Sequence, residues 1–387
     1  MSGSWKSAPL RDLCEFHNGL WTGKKPPFET AHVIRNTNFT ADGRIDLSDV
    51  AVLQVEKPQF AKRRLRKGDI IIEKSGGGPK QPVGRVVLFN LDAENFSFSN
   101  FTSVIRVKDA RILDSIYLHR VLHWWYVSGI TEPLQRRSTG IRNLDFDAYK
   151  DLEVPLPQLD EQRRIVAALD QAFSVLERAC ANVDANTKQA AELLDVWIRE
   201  VFSGSEEWPV RQLADLCENL DRQRVPITKS DRQSGDIPYY GASGVVDYVN
   251  DFLFDEDLLL VSEDGANLLA RTYPIAFSIT GKAWVNNHAH VLRFSDSVSQ
   301  EFIRLYLNSI SLNPYVTGMA QPKLNQSALN AIPVPTPPIQ VQAMIVEQAA
   351  QIHAGCRRAV SAYEAQAADL TALRQTLLQA AFSGQLN

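Results

Sequence analysis

Residues 159–202 read LDEQRRIVAALDQAFSVLERACANVDANTKQAAELLDVWIREVF. Apolar or small side chains recur in steps of four and three at Ile165, Leu169, Ala172, Leu176, Ala179 and Val183, then Asn186, Ala190, Leu193 and Trp197. That spacing sets one side of a continuous helix against a partner helix, as a coiled-coil seam does. No Pro or Gly interrupts the run, so its length at 1.5 Å per residue predicts a rod of roughly 66 Å. A second copy lies 180 positions on, with a seam at Ile345, Ala349, Ile352, Cys356, Ala359, Tyr363, Gln366, Leu370, Leu373 and Leu377. The long polar seam residue falls at the same place in both copies, Asn186 and Gln366. Two readings of these amides are open: a buried pair that fixes register, or a wet flank of the helix.

The segments outside the helices repeat as well. Trp5 opens WKSAPLRDLCE and Trp208 opens WPVRQLADLCE, which share Trp, Leu, Asp, Leu, Cys and Glu without a gap at an offset of 203. Val154 opens VPLPQLDEQRRIV and Val334 opens VPTPPIQVQAMIV, at an offset of 180, so the first insert is 23 residues longer than the second. Inside the inserts, residues 69–72 (DIII) resemble 257–260 (DLLL) at an offset of 188, and 103–107 resemble 290–294 at 187. Strands are predicted at 70–73, 83–89 and 104–107 and at 258–261, 275–279 and 291–294, with short helices at 116–126 and 302–310. Each Val-Pro-x-Pro disfavours helix just before the long run and makes a stiff, extended lead-in. Ser203-Gly204 and Ser383-Gly384 supply the stops.

The fold class that follows is α+β. Two similar globular domains are separated by two long helices that pack as an antiparallel coiled coil, giving a pseudo-twofold dumbbell. One fold carries two different surfaces, held apart by a ruler.

At 387 residues and 44% hydrophobic content the chain can bury more than one core. A net charge of −4 does not announce a nucleic-acid binder, yet local basic patches are enough to grip phosphates. MSGSWKSAPL lacks the apolar core of a signal peptide and no stretch approaches 18 apolar residues, so a cytoplasmic protein is expected, with no membrane partner. Cys14, Cys180, Cys217 and Cys356 have no metal spacing and read as reduced thiols.

Catalytic signatures are poor. Lys25-Pro26-Pro27-Phe28 is one residue from the Asn/Asp-Pro-Pro-aromatic pattern of amino-methyltransferases, but lysine cannot accept from the target amine as Asn or Asp does. Gly76-Gly77-Gly78-Pro79-Lys80 fails the phosphate-loop spacing. Asp69, Glu73 and Lys74 loosely resemble a nuclease metal site and read better as a charge cluster at a strand end. His288 and His290 lack a third ligand and read as ordinary strand histidines. No catalytic residue and no metal site is assigned.

Basic and amide-rich clusters sit where the repeats diverge. Residues 57–67 hold six positive charges and no acid, among them Lys62, Arg63 and Arg64. Lys74, Lys80 and Gln81 surround a glycine-rich turn, and Arg136, Arg137, Arg142 and Asn143 form a second loop. The second half offers Arg222, Arg224, Tyr239, Tyr240, Ser243, Lys282, Trp284, Asn286, Asn287, Gln321 and Lys323. Arg and Lys suit phosphates and guanine edges, while Asn and Gln suit adenine edges. These are the candidate DNA-binding residues.

With these residues in view, the sequence resembles the specificity subunit of type I restriction–modification enzymes. The resemblance rests on the two Trp-x4-Leu-x2-Leu-Cys-Glu starts and the two Val-Pro-x-Pro…Gln…Ile-Val lead-ins. The Tyr239-Tyr240-Gly241-Ala242-Ser243-Gly244 turn and the Gly318…Gln321…Leu324 run add to it. It covers essentially the whole chain, although the middle of the first domain departs from the Tyr-Tyr-Gly type. The resemblance implies two target recognition domains, at 1–153 and 205–333, each followed by a linker and long helix, at 154–204 and 334–387. It also implies a non-catalytic subunit that reads one half of a split double-stranded DNA target with each domain. Two methylation subunits would dock on the helices and carry S-adenosylmethionine. Two restriction subunits, where present, would carry ATP and Mg, and this chain itself would hold no cofactor. Two other readings stay open at this point: a two-headed protein scaffold, and a nuclease or methyltransferase in its own right.

Overall fold

The computed structural model describes residues 5–21, 23–78, 81–138, 141–204, 207–318 and 321–383. The two long helices span Leu159–Ser203 and Ile339–Phe382. The chain divides into two compact units, residues 1–182 with 366–387, and residues 183–365, so each helix contributes one end to each unit.

In the first unit a four-stranded antiparallel sheet has the order Cys14–Asn18, Thr102–Val107, Asp69–Glu73, Val86–Phe89. The inner strand, DIIIE, is buried along its whole length because both faces of the sheet are covered. Ile70, Ile72 and Ile105 pack on the helix Ser115–Val127 and on the first turns of the first long helix. Ile71, Val87 and Val104 pack the other way, against Ile34, Phe39 and Phe98. Period-two alternation with two apolar layers turns an alternating strand into a continuous apolar run. Leu378, Ala381 and Phe382 join Ile165, Leu169 and Phe173 in the same core, and Arg374 stacks on the Phe173 ring. The late part of the second helix therefore meets the early part of the first, in antiparallel sense.

The second unit repeats the sheet in the same order: Glu218–Asn219, Ala289–Arg293, Leu258–Ser262, Ala276–Ile279. Leu259, Val261 and Leu292 face the helix Ser297–Ser309, while Leu258, Leu260 and Val291 face the opposite layer. There Ile198 packs with Ile345 and Ala349.

Each unit is closed by its own ends. Lys6–Pro9 pairs antiparallel with Glu153–Leu156, Ala8 opposite Val154, and Val210–Gln212 pairs with Pro333–Pro335, Arg211 opposite Val334. The Val-Pro-x-Pro lead-in is thus a strand as well as a spacer. Its downstream glutamine explains the motif: Gln162 is fully buried, donates to the carbonyls of Ile112 and Pro157, and accepts from the amide of Asp114. Asp114 in turn caps the helix Ser115–Val127. Gln342 makes the equivalent bond to Pro337.

The structure departs from the sequence pattern at two places. The offset of 188 between DIII and DLLL is one residue out. Ile71 pairs with Val104 and Leu260 with Val291, and each lies in the layer away from the helix, so the equivalence is Ile71 with Leu260. A one-residue slip exchanges the two faces of a strand, and the shared Asp had drawn the alignment to the wrong face.

The helical seam also slips. Ile165, Leu169, Leu176, Val183, Ile345 and Cys356 are buried, and Ile352, Tyr363, Leu370, Leu377 and Trp197 are half-buried. Leu193 and Leu373, however, are 54% and 45% exposed, and Leu194 and Arg374 turn inward in their place. A strict heptad demands 3.5 residues per turn, whereas an unsupercoiled helix advances by 3.6, so the seam moves one residue on after a few turns. The same slip at positions 180 apart leaves Asn186 and Gln366 exposed, which selects the wet-flank reading of these amides.

Candidate nucleic-acid interface

The polar elements gather beyond the end of the inner strand in each unit. In the first unit, Gln135–Ser138 and Ile141–Leu144 form a hairpin whose second strand pairs with Ser75–Gly77. Leu144 is tied to the sheet by its amide on the Lys74 carbonyl at 2.8 Å. Among the described residues of the second unit, the counterpart is a pair of isolated bridges from Lys323 to Thr317 and to Asp264. The anchoring bond is retained, from the Leu324 amide to the Glu263 carbonyl at 2.8 Å. Asp145 and Asn325 then cap the short helices that follow, accepting from Ala148 and Ala328.

Many candidate contact residues prove to be internal supports. Arg63, at the end of the helix Lys57–Arg63, donates to the carbonyls of Asn18 and Gly19. Arg64 lies over the Phe60 ring. Lys74 donates to Asn18, and burial followed by Lys150 lowers its pKa. Arg224, with a side chain only 12% exposed, binds Glu263 at 2.6 Å and the Ala289 carbonyl at 2.7 Å. Tyr239 is 1% exposed and holds the backbone of Ile227. Asn286 is buried and accepts from the His288 amide, and Trp284 donates to the Val225 carbonyl. Tyr240 packs on Phe277, and burial raises its pKa. Basic or amide character predicts contact only where the side chain reaches solvent.

Other candidates do reach it. Lys62, Arg222, Asn287 and Gln321 are exposed. Exposed Lys282 sits over the Phe252 ring, and exposed Ser243 meets Tyr273. Lys323 reaches Glu263 at 3.1 Å. Arg136 is exposed and bonded to Asp145, whose pKa that bond lowers. Gln81 is exposed and faces Arg85, whereas Arg142, its side chain 15% exposed, lies 3.7 Å from Glu132 and half-buried Asn143 accepts from Ser75. Lys80 and the side chain of Arg137 lie outside the described residues.

The carboxylates that loosely resembled a metal site are taken up by arginines: Asp69 by Arg106 at 2.6 Å and Glu73 by Arg85 at 2.8 Å. His290 is fully buried between Asp221 and the Leu324 carbonyl. Among the described residues no group of three or more His, Cys, Asp or Glu is placed to hold a metal, and the four cysteines are unpaired. Among them, too, no helix is long and apolar enough to cross a membrane.

One cluster escaped sequence reasoning. Trp21, 66% exposed, and exposed Phe101 flank a cleft of about 390 Å³ lined also by Arg35, Asn36, Leu53 and Asn100. The signal was available: the offset of 187 that aligns residues 103–107 with 290–294 also aligns Asn100 with Asn287.

The sequence matches the family described as type I restriction modification DNA specificity domain over residues 3–181 and again over 205–354. The chain belongs to that family. Specificity subunits are the non-catalytic components of these systems. Among its relatives, a Haemophilus influenzae protein named as a type I restriction enzyme specificity subunit is 36% identical over 153 residues, 39% of this chain and 38% of that protein. The MjaX specificity subunit of Methanocaldococcus jannaschii is 21% identical over 373 residues, 89% of this chain and 85% of that one. Two solved structures share the fold of this specificity-domain protein at 18% identity. One, from a study of complex assembly and conformational transition of the type I R-M system, has a TM-score of 0.75 over 99% of this chain and 98% of that one. The other, the HsdS subunit of Thermoanaerobacter tengcongensis, has a TM-score of 0.62 over 99% and 97%.

Proposed function

We propose that the chain reads a two-part sequence in double-stranded DNA, each unit reading one part, and that it docks methylation subunits carrying S-adenosylmethionine. Restriction subunits carrying ATP and Mg join where the system includes them, and the chain itself holds no cofactor. The observation that supports this reading is the duplicated sheet with unlike polar elements beyond the same strand end. A repeated scaffold with divergent exposed ends fits two related tasks with different targets. The cytoplasm is the compartment this function requires.

Charge reversal tests it when aimed at exposed cations rather than buried ones. Lys62→Glu with Arg222→Glu in the assembled complex should weaken duplex binding and flatten its salt dependence, by roughly one unit of slope per lost phosphate contact. Unchanged affinity and slope would favour a protein-binding scaffold instead. Arg63 and Arg224 are unsuitable for this test, because reversing either removes an internal support.

A further inference from the structure

We infer that the three-residue turns 99–101 and 286–288 are the same base-reading element in the two units. The middle asparagine would contact a base edge and the third residue would set which base is preferred. This rests on the DNA reading above and names the residues that carry it.

The equivalence is geometric. The Ser99 amide donates to the Ile34 carbonyl at 2.9 Å, and the Asn286 amide donates to the Tyr240 carbonyl at 3.0 Å. On the far side, the Lys74 amide donates to the Phe101 carbonyl at 3.0 Å, and the Glu263 amide to the His288 carbonyl at 2.9 Å. Each turn is therefore clamped between the same two strands by the same two backbone bonds, which fixes its backbone. Asn100 and Asn287 are both exposed at the middle position. An asparagine amide sets an N–H donor beside an oxygen acceptor, the pattern that pairs with the N7 and N6 edge of adenine in the major groove.

The third position differs in kind. Phe101 is exposed and stands with Trp21 and Leu53 around the first unit's cleft. Such an apolar wall suits a thymine methyl group or the face of a base. Arg35 lines the same cleft, and its guanidinium faces Asp49 at 3.6 Å. His288 instead is oriented by Asp264 at 2.7 Å and presents a polar ring. Gly19 permits the close fit behind the first turn, since a Cβ there would fall within 1.8 Å of the Ser99 carbonyl oxygen.

The test is methylation mapping with Asn100→Ala and Asn287→Ala complexes, each checked for an unchanged melting temperature. Asn100→Ala should relax one base position in one half of the motif by about tenfold to a hundredfold and leave the other half intact, and Asn287→Ala should do the converse. Phe101→Leu and His288→Gln, which keep the turn, should shift preference at a neighbouring position of the same half. A wild-type two-part motif left unchanged by all four substitutions would overturn the inference while leaving the DNA reading standing. A wild-type complex that marks no two-part motif would remove the reading and the inference together.

Discussion

The first unit anchors the polar end beyond its inner strand with a three-stranded sheet and the Arg85–Glu73 pair, while the second uses a buried histidine with two acids and an arginine. Both anchors stand on sheets of identical strand order, closed by equivalent strand pairs. The apolar layers are common to the two units, and the polar interior is where they part. A hydrophobic layer tolerates exchange among Ile, Leu and Val of similar volume, whereas a buried polar network must be satisfied member by member. Divergence between the units therefore means rebuilding the polar end as a set, on an apolar base that stays as it is.

The comparison breaks most sharply at two arginines that sit two positions apart. Arg224→Ala takes one cation from Glu263 and Asp221, which keep Lys323 and His290, and should cost about 3 kcal/mol of second-unit stability, whereas exposed Arg222→Ala should stay within about 0.5 kcal/mol. Urea unfolding followed by unit-resolved hydrogen exchange measures both. Equal effects would mean the buried network is not what holds that end. The shared apolar layers should respond alike: Ile71→Ala and Leu260→Ala, each fully buried at equivalent positions, should each cost about 2–5 kcal/mol in their own unit.

The lead-in glutamines should then separate the units by a smaller margin. Gln162→Ala loses three hydrogen bonds and leaves buried partners unsatisfied, at about 1–3 kcal/mol. Gln342→Ala, with its bond to the Pro337 carbonyl, should cost less.

Acid should distinguish the units as well. His119 and His123 in the first unit are driven down to about 3 and about 4, by burial first and then by neighbouring cations, Arg120 for the former and Arg374 for the latter. The unfolded chain binds these protons from about pH 6.5 downward and the folded unit does not. First-unit stability is thus whole above pH 6.5 and declines as pH falls toward 4. In the second unit Asp221 and Glu263 are held below their usual range. Their burial acts against this and is outweighed by the bonds to His290, Arg224 and Lys323. Their contribution is present above about pH 4 and is lost only below it. Hydrogen exchange between pH 7 and 4.5 should therefore show the first unit opening before the second, and the reverse order would contradict these assignments.

Much of this was legible in the sequence. Offsets of 203 and 180 place Ala8 against Val154 and Arg211 against Val334, because closing strands repeat their residues along with their geometry. The inner strands were found but misregistered, since an Asp at the wrong phase outweighed a two-residue period that only burial reveals. The seam was found but followed at heptad pitch past the point where a straight helix leaves it. Arg222 and Arg224 look alike as letters, and one faces solvent while the other lies under a carboxylate network. The turn 99–101 was missed because a single Asn in a short loop carries no pattern until its twin is found.

The most direct measurement is adenine-methylation mapping in cells carrying this chain with its methylation subunit, before and after grafting another recognition domain. The graft should replace residues 5–157, so that the strand Lys6–Pro9 keeps its partner Glu153–Leu156. The expected result is a two-part motif in which one half changes and the other half and the gap persist. A change in both halves, or in neither, would contradict the assignment of one half to each unit.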